Sequence, residues 1–585
     1  MKPKGTAALD KARAALHAGD ATEAARLART AIKMGAHNTA AWHLLALATA
    51  GQQDFDAAIP AFEEALKLAP RDAVVASDYA GVLAEVGLFE QALACADHAL
   101  VIDPQLAPAW VQRGKALNGL EQMRDAIQAL NRALQLAPDL ASGHYTYGQV
   151  LEALKQPDRA LQAYTEAARH APAHRDAHQK RGRLALQLEK FAEAAESFAR
   201  ALALSPDDAG LLNNHAMALH GLGRFDEALA LCDQIIAISP ALASAHVNRG
   251  RALQMLGRYK EALDAFERAH RLDPDGLPAA LNLAMLRLTL GDLARGFAGY
   301  ESRKRMPELE VQLAGRTHVA GLDALKGRTL IIEAEQGLGD TVQFARFAPR
   351  LARHAARTVL AVQSSLVPLM KTLSGVEVMA NDDPALPDDA VHALIMSLPH
   401  LLGETDVRAA PYLVADPKRV AHWKERIGPQ GCRIGINWQG RAVGGDIHRS
   451  FPLAALAPIA ALPGVRLISL QKYDGLDQLA QLPAGMTVET LGEAFDAQGG
   501  AFLDSAAVMQ CLDLTITCDT ALAHVAGAIG APVWLALQFV AEWRWGMEGA
   551  QTPWYPTMRL FRQSQRGDWA GVFARMAEAL AQAVS

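Results

Sequence analysis

Cysteine is scarce in this chain: five residues in 585, Cys95, Cys232, Cys432, Cys511 and Cys518, with no paired metal-ligand spacing. That excludes a disulfide framework or a zinc ribbon, and the five read as reduced, mostly buried thiols of a cytoplasmic protein. Long apolar runs are missing as well. No stretch of 18 apolar residues occurs, and the opening MKPKGTAALDKARAAL lacks an apolar signal core, so stable membrane insertion is not expected. Charge of one sign is also missing. Lys+Arg number 57 against 63 Asp+Glu, a net charge of −6, which leaves no basic footprint for nucleic acid.

What the chain does have is a period. Pro70, Pro104, Pro138, Pro172, Pro206, Pro240 and Pro274 are each 34 residues from the next. Counting back from them, units start near residues 5, 39, 73, 107, 141, 175, 209, 243 and 277. Small residues then fall into columns. The eighth position reads Ala12, Ala46, Ala80, Gly114, Gly148, Gly182, Ala216, Gly250 and Ala284, and the twentieth is Ala in eight of nine units, with Gly296 in the last. Paired helices approach closely only where neither carries a bulky side chain, and proline stops the second helix of each pair. These features resemble the tetratricopeptide repeat (TPR) family over about 300 residues, which implies a helical solenoid with a concave groove. The first unit carries Ala36 in place of the proline and the ninth lacks it, as terminal units do. Asn214, Asn248 and Asn282 share the sixth position of three successive units. Such carboxamides can hold a peptide by its backbone, as a similar ladder does in O-GlcNAc transferases, or can simply solvate a helix face.

After about residue 305 the repeat ends. Short apolar runs alternating with helical stretches follow: 329–334, 359–363, 392–397, 433–438, 466–471, 513–519 and 532–537. This pattern predicts α/β layers. The expected division is a TPR superhelix over 1–305, a linker over 306–327, one Rossmann-like lobe over 328–430 and a second over 431–585.

Two turns in this half could carry chemistry. Gln336-Gly337-Leu338-Gly339-Asp340 runs from strand to helix, and its glycines permit close backbone approach. Thr517-Cys518-Asp519-Thr520-Ala521-Leu522-Ala523-His524 also runs from strand to helix, placing free amides and the Thr520 hydroxyl where a phosphate would fit. Read singly, Asp340 and the Asp519-Thr520 pair are equally well helix caps, and His524 a packed core residue.

Together, the early GLGD and late DTALAH turns resemble the heptosyltransferase-like glycosyltransferases, as do Asn437-Trp438-Gln439-Gly440, Gln471-Lys472, Trp543-Arg544 and TPWYPTMRLFRQ (552–563). The resemblance covers roughly 328–585 and implies a GT-B fold of two Rossmann-like lobes, 328–430 on the acceptor side and 431–585 on the nucleotide-sugar donor side. Bacterial proteins that fuse TPR units to this module include flagellin-modifying members. By that resemblance Asp340 is the general base. Gly337, Gly339, Asn437, Trp438, Gln439, Gly440, Gln471, Lys472, Asp519, Thr520, Ala521, His524, Trp543 and Arg544 form the donor side. Ala521 stands where relatives often carry glycine. Arg449, and Asp446 and His448 in a glycine-containing loop, are further candidates for contact. The implied enzyme inverts, uses a nucleotide-sugar as co-substrate, and needs neither cofactor nor metal, since no Asp-x-Asp follows a strand here. The expected acceptor is a Ser/Thr hydroxyl of a protein held in the TPR groove, flagellin being one such protein. Transfer to a lipid-linked or surface glycan, and a scaffold with an inactive GT-B half, are the alternatives.

Overall fold

The computed structural model describes residues 4–584 except 37, 405, 408–410, 441–448 and 541. Helical hairpins begin where the period places them: the first helices of the nine units start at Lys4, Thr39, Ala73, Ala107, Ala141, Arg175, Ala209, Ala243 and Leu277. The glycine column has a direct cause. A Cβ on Gly114, Gly148, Gly182 or Gly250 would lie 2.6, 2.7, 2.9 or 2.5 Å from Leu130, Tyr164, Phe198 or Phe266. Each of these large residues comes from the second helix of the same unit and is wholly buried. Helix Phe55–Leu68 shows the stop: it caps at Ala69, and Pro70 follows, a residue that disfavours helical backbone before it.

The chain divides into two compact units, Met1–Pro240 and Ala241–Ser585. The first contains seven hairpins. The second contains the last two hairpins together with two parallel sheets, so the boundary expected at 305 falls inside it. The reason is a shared core. Ala284, Leu288, Phe297 and Tyr300 of the ninth hairpin belong to the same apolar cluster as Leu330 and Ile332 of the first sheet and Trp543 of the far lobe. Residues 306–327 are also folded. Helix Pro307–Leu313 and a turn at Leu322–Leu325 flank a segment whose Val319 amide donates to the His392 carbonyl at 3.0 Å, while the His392 amide donates to Thr317 at 2.8 Å.

The first sheet contains β1 (Thr329–Glu333), β2 (Arg357–Val362), β3 (Glu377–Ala380) and β4 (Val391–Leu394) in the order β3-β2-β1-β4. The second contains β5 (Cys432–Asn437), β6 (Val465–Ser469), β7 (Val488–Glu489), β8 (Leu514–Thr517), β9 (Val533–Leu537) and β10 (Met558–Arg562) in the order β10-β9-β8-β5-β6-β7. All pairings are parallel. The sequence pattern missed β3, β7 and β10, and each is an edge strand. Continuous apolar runs mark strands buried on both faces, whereas an edge strand tolerates charge, as Glu377, Glu489 and Arg559 illustrate. Helix Pro417–Ile427 belongs with the second sheet. Arg419 and the Trp423 indole reach Asp504 of helix Leu503–Met509 at 2.6 and 2.9 Å, so the lobes divide before Pro417 and not at 430.

Gly250→Ala should destabilise the protein by about 1–3 kcal/mol despite the better helix propensity of alanine, because buried Phe266 cannot withdraw. At Gly51, where an added Cβ meets only Ala21 Cβ at 3.4 Å, the same change should stabilise by roughly 0.5–1 kcal/mol. Denaturant unfolding of the two variants gives both signs.

Candidate functional site

In an open parallel sheet, ligands bind beyond the carboxyl ends of the strands where the strand order reverses. In the second sheet that point lies between β5 and β8, and the two loops leaving them are tied together. Asn437, the last residue of β5, accepts hydrogen bonds on Oδ1 from the Thr517 hydroxyl at 3.0 Å and the Thr520 hydroxyl at 2.9 Å. Its amide donates to Gln471 Oε1 at 2.6 Å. The same Gln471 oxygen accepts from the Trp438 and Gln439 amides at 3.2 Å, and Gln471 Nε2 donates to the Gln439 and Asp474 carbonyls at 2.8 Å. Gln471 is therefore a buried peg whose bonds hold the 437–440 loop, with no donor or acceptor left over for a ligand.

Thr520 is the N-cap of helix Ala521–Ala528, yet it caps no amide with its side chain, since the hydroxyl is turned to Asn437. Among the described residues the first-turn amides have no side-chain acceptor, and the Ala523 amide donates to the Thr520 carbonyl at 3.0 Å. The helix beginning at Leu338 packs against this end so closely that a Cβ on Gly339 would sit 3.2 Å from Ala521 Cα and 3.0 Å from His524 Cδ2. Two motifs some 180 residues apart in sequence are thereby brought into contact. Gly440 completes the approach, for a Cβ there would meet Thr520 Cγ2 at 3.2 Å.

Asp340 stands at this junction. Its Oδ2 accepts the Gly337 amide at 3.0 Å and its Oδ1 pairs with Arg544. Arg544 also bonds Glu542 and Gln343 Oε1, both at 2.5 Å, and lies 4.4 Å over the Trp543 ring. Burial lowers the Arg544 guanidinium, but the Glu542 and Asp340 carboxylates outweigh it and hold it raised. Burial pushes the Asp519 and Glu542 carboxyls up, with Arg544 opposing in both. His524 is held well below the usual imidazole range by burial and by Arg544, Arg346 and Arg449. It is a neutral ring, bonded through Nδ1 to Tyr555 Oη at 3.0 Å and stacked on Trp545 at 5.4 Å.

The structure thus gathers Gly337, Gly339, Asp340, Asn437, Gly440, Asp519, Thr520, Ala521, His524 and Arg544 around one junction. It corrects others. The Trp438 side chain is fully buried in the core of the second lobe, and Trp543 packs edge-on to Phe297 and Trp554, so neither ring is a contact surface for a donor. The Lys472 ammonium donates to the Phe495 carbonyl. Gln439 has its Oε1 taken by Gln478 Nε2 at 3.0 Å. In the repeats, Asn282 donates one N–H back to its own helix at Pro278 O, 2.8 Å away, and keeps its other N–H and its oxygen. Asn214 and Asn248 are half-buried, in the first and second compact units respectively. Asp446, His448 and their loop lie outside the described residues.

Sequence reasoning missed two arginines. Arg303, from the end of the last repeat, is fully buried and makes a two-pronged pair with Glu335 at 2.8 and 2.7 Å, with Ser397 Oγ at 3.0 Å. It fills the crevice between β1 and β4, the order-reversal point of the first sheet. Arg346 reaches from the first lobe to the Trp554 carbonyl of the second at 2.6 Å and lies 4.5 Å over the Tyr555 ring. Nothing in their local sequence separates them from the surface arginines around them. Among the described residues no three His, Cys, Asp or Glu side chains group to hold a metal, and no helix is long and apolar enough to cross a membrane.

Comparison with known proteins bears on the repeats. Segments 9–73, 50–112, 111–178, 175–208 and 207–275 match tetratricopeptide repeat family models. Residues 9–275 are tetratricopeptide repeats. The chain is 32% identical over 328 residues to Protein FlbA of Caulobacter vibrioides, an alignment covering 51% of this chain and 54% of FlbA. It therefore spans about half the length of that curated relative. Among solved structures it is similar to the Cut9–Hcn1 hetero-tetramer of the APC/C (17% identity, TM-score 0.34, covering 49% of this chain and 57% of that one). It is also similar to Pseudomonas aeruginosa pilF (22% identity, TM-score 0.31, covering 35% and 94%).

A buried neutral imidazole gives a signed pH dependence. The unfolded chain binds a proton at His524 near pH 6.5 and the folded one does so only well below it. This contribution to stability is fully present above about pH 6.5 and is lost as the pH falls below it. His524→Gln should flatten the fall in thermal midpoint between pH 7.5 and 5.5 relative to the unaltered protein.

Proposed function

We propose that residues 241–585 form a nucleotide-sugar-dependent glycosyltransferase of the GT-B class and that the repeats bring it a protein acceptor. The observation that carries this reading is the close approach at Gly339. It sets the Asp340 carboxylate beside the end of the Ala521 helix, between two parallel sheets whose carboxyl-edge loops converge there. In this scheme the donor phosphates lie against the first-turn amides of the Ala521 helix, where helix polarity favours anions. Asp340 takes the proton of an acceptor hydroxyl as that oxygen bonds to the anomeric carbon, while the nucleotide leaves from the opposite face. Arg544 holds the Asp340 carboxylate in place, since the guanidinium is itself fixed by Glu542, Gln343 and the Trp543 ring.

Tetratricopeptide repeats are suited to protein partners, and a Ser or Thr hydroxyl is the acceptor that suits such recruitment, with flagellin as one candidate protein. A lipid-linked acceptor is disfavoured by the fate of the first lobe's arginines. Arg346 is buried, while Arg350 and Arg357 pair with Glu404 and Glu377, so they form no basic membrane patch. The scaffold reading is the other alternative; the Lys472 ammonium gives one of its three N–H donors to the Phe495 carbonyl and keeps two for a phosphate.

Incubation with UDP-, ADP-, GDP- and CMP-sugars, read as nucleotide release and as intact mass of a co-incubated protein acceptor, separates these readings. The glycosyltransferase reading expects turnover that Asp340→Asn lowers by about 10²–10⁴-fold. Nucleotide release equal in the two proteins, or none with any donor, contradicts it.

A further inference from the structure

The first sheet is covered unequally. Leu330, Ile332, Leu360 and Val362 point into the large core shared with the far lobe, whereas Ile331, Val359 and Ala361 point to the other face and meet only a small cluster with Ala390. Parallel sheets ordinarily carry helices on both faces. Here the second face has a cavity of about 670 Å³ instead, within the span that small-molecule and peptide sites occupy.

The cavity reaches the carboxyl ends of three strands, at Glu335 and Gln336 after β1, Gln363 after β2 and Asn381 after β3. Its wall is continuous with the turn that carries Asp340. Gln363 Nε2 donates to the Gln336 carbonyl at 2.9 Å, Gln363 Oε1 accepts the Thr341 hydroxyl at 3.0 Å, and the next amide, that of Gly337, holds Asp340.

The charges of the lining sort a ligand by sign. Glu335 is paired with Arg303 and Glu333 with Arg316, and Glu333 also has hydrogen bonds with His392 and, at 3.1 Å, with the Gln312 amide. Burial raises the Glu333 carboxyl, but the His392, Gln312 and Arg316 partners hold it below the ordinary carboxylate range. Asp388 and Asp389 on the rim are exposed and make no hydrogen bond or ion pair with the described residues. The Arg303 and Arg316 guanidinium groups are thus each matched by one glutamate, and two carboxylates are left over. An anionic ligand would be repelled. A cation would find partners at the rim while hydroxyls met the amides of Gln336, Gln363 and Asn381.

We infer that this cavity is the acceptor subsite, and that it takes an extended peptide segment in which a Lys or Arg flanks the hydroxyl-bearing residue presented to Asp340. The inference rests on the glycosyltransferase reading for the role of Asp340, but its test reads binding alone.

The probes are two fluorescein-labelled eight-residue peptides, one alternating Lys and Ser, the other Glu and Ser, titrated with the full chain at low salt and followed by anisotropy. The Lys-Ser peptide should bind and the Glu-Ser peptide should not. Asp388→Asn combined with Asp389→Asn should weaken the Lys-Ser peptide about fivefold, an effect in keeping with two exposed ion pairs. The paired control Asp139→Asn and Asp207→Asn, which removes two carboxylates in the repeats, should leave it unchanged. Equal affinity in the rim variant and the unaltered protein, or equal losses in the rim and control variants, would overturn the inference. So would a preference for the Glu-Ser peptide. Rim-dependent binding without sugar transfer upholds the site and counts against the enzymatic reading, while transfer without rim-dependent binding does the reverse.

Discussion

The second half of this protein is organised by the absence of one side chain. At Gly339 a Cβ would lie 3.0 Å from the His524 ring and 3.2 Å from the Ala521 backbone, tighter than ordinary contact. That single close approach joins the helix after β1 to the helix after β8, and so joins the first sheet to the second. It also fixes what lies around it: Asp340 one residue on, Arg544 paired with it, and the first turn of the Ala521 helix directly opposite. Alanine at 339 would make the His524 ring and the Ala521 backbone give by a few tenths of an ångström, and a larger side chain would press the two helix ends apart.

The last repeat is part of the same construction. Arg303 is sunk in the crevice between β1 and β4 with both prongs on Glu335, and Tyr300 meets Gln336 at 3.2 Å. A buried pair of this kind contributes little net stability against an apolar replacement, but losing one partner leaves a stranded charge at a cost of about 3–5 kcal/mol. Its value is orientation. The turn that leads to Asp340 is gripped by the end of the ninth hairpin, so that hairpin and the two lobes form one body and no tether separates them.

Much of this was legible in the sequence. The 34-residue period placed every first helix to within a residue or so, because the proline stop recurs seven times and the small-residue columns run through all nine units. The central strands were legible because burial on both faces demands unbroken apolar runs. Three of the four edge strands, β3, β7 and β10, were not, since an edge strand tolerates charge. The junction was half legible. GLGD and DTALAH stood out as strand-to-helix turns, yet Gln471, Trp438 and Trp543 read as ligand contacts when they are a buried peg and two core rings. Arg303 was invisible for a physical reason: a run of Arg303, Lys304 and Arg305 looks solvated until the fold buries one member and leaves the others out. The Glu333 and His392 pair was equally hidden, for its partners are 59 residues apart and meet only through the β1–β4 pairing.

The central claim is that the Ala521 helix end receives a nucleotide phosphate. Thermal unfolding of the purified chain against UDP, ADP, GDP and CMP, repeated with Thr520→Asp, tests it most directly. Aspartate still suits the N-cap but sets a negative charge where the phosphate would lie. A ligand that binds only the folded state raises the midpoint as its concentration grows. The account predicts such a rise with one nucleotide, and its loss in Thr520→Asp. No rise with any of the four, or an equal rise in the variant, would contradict it.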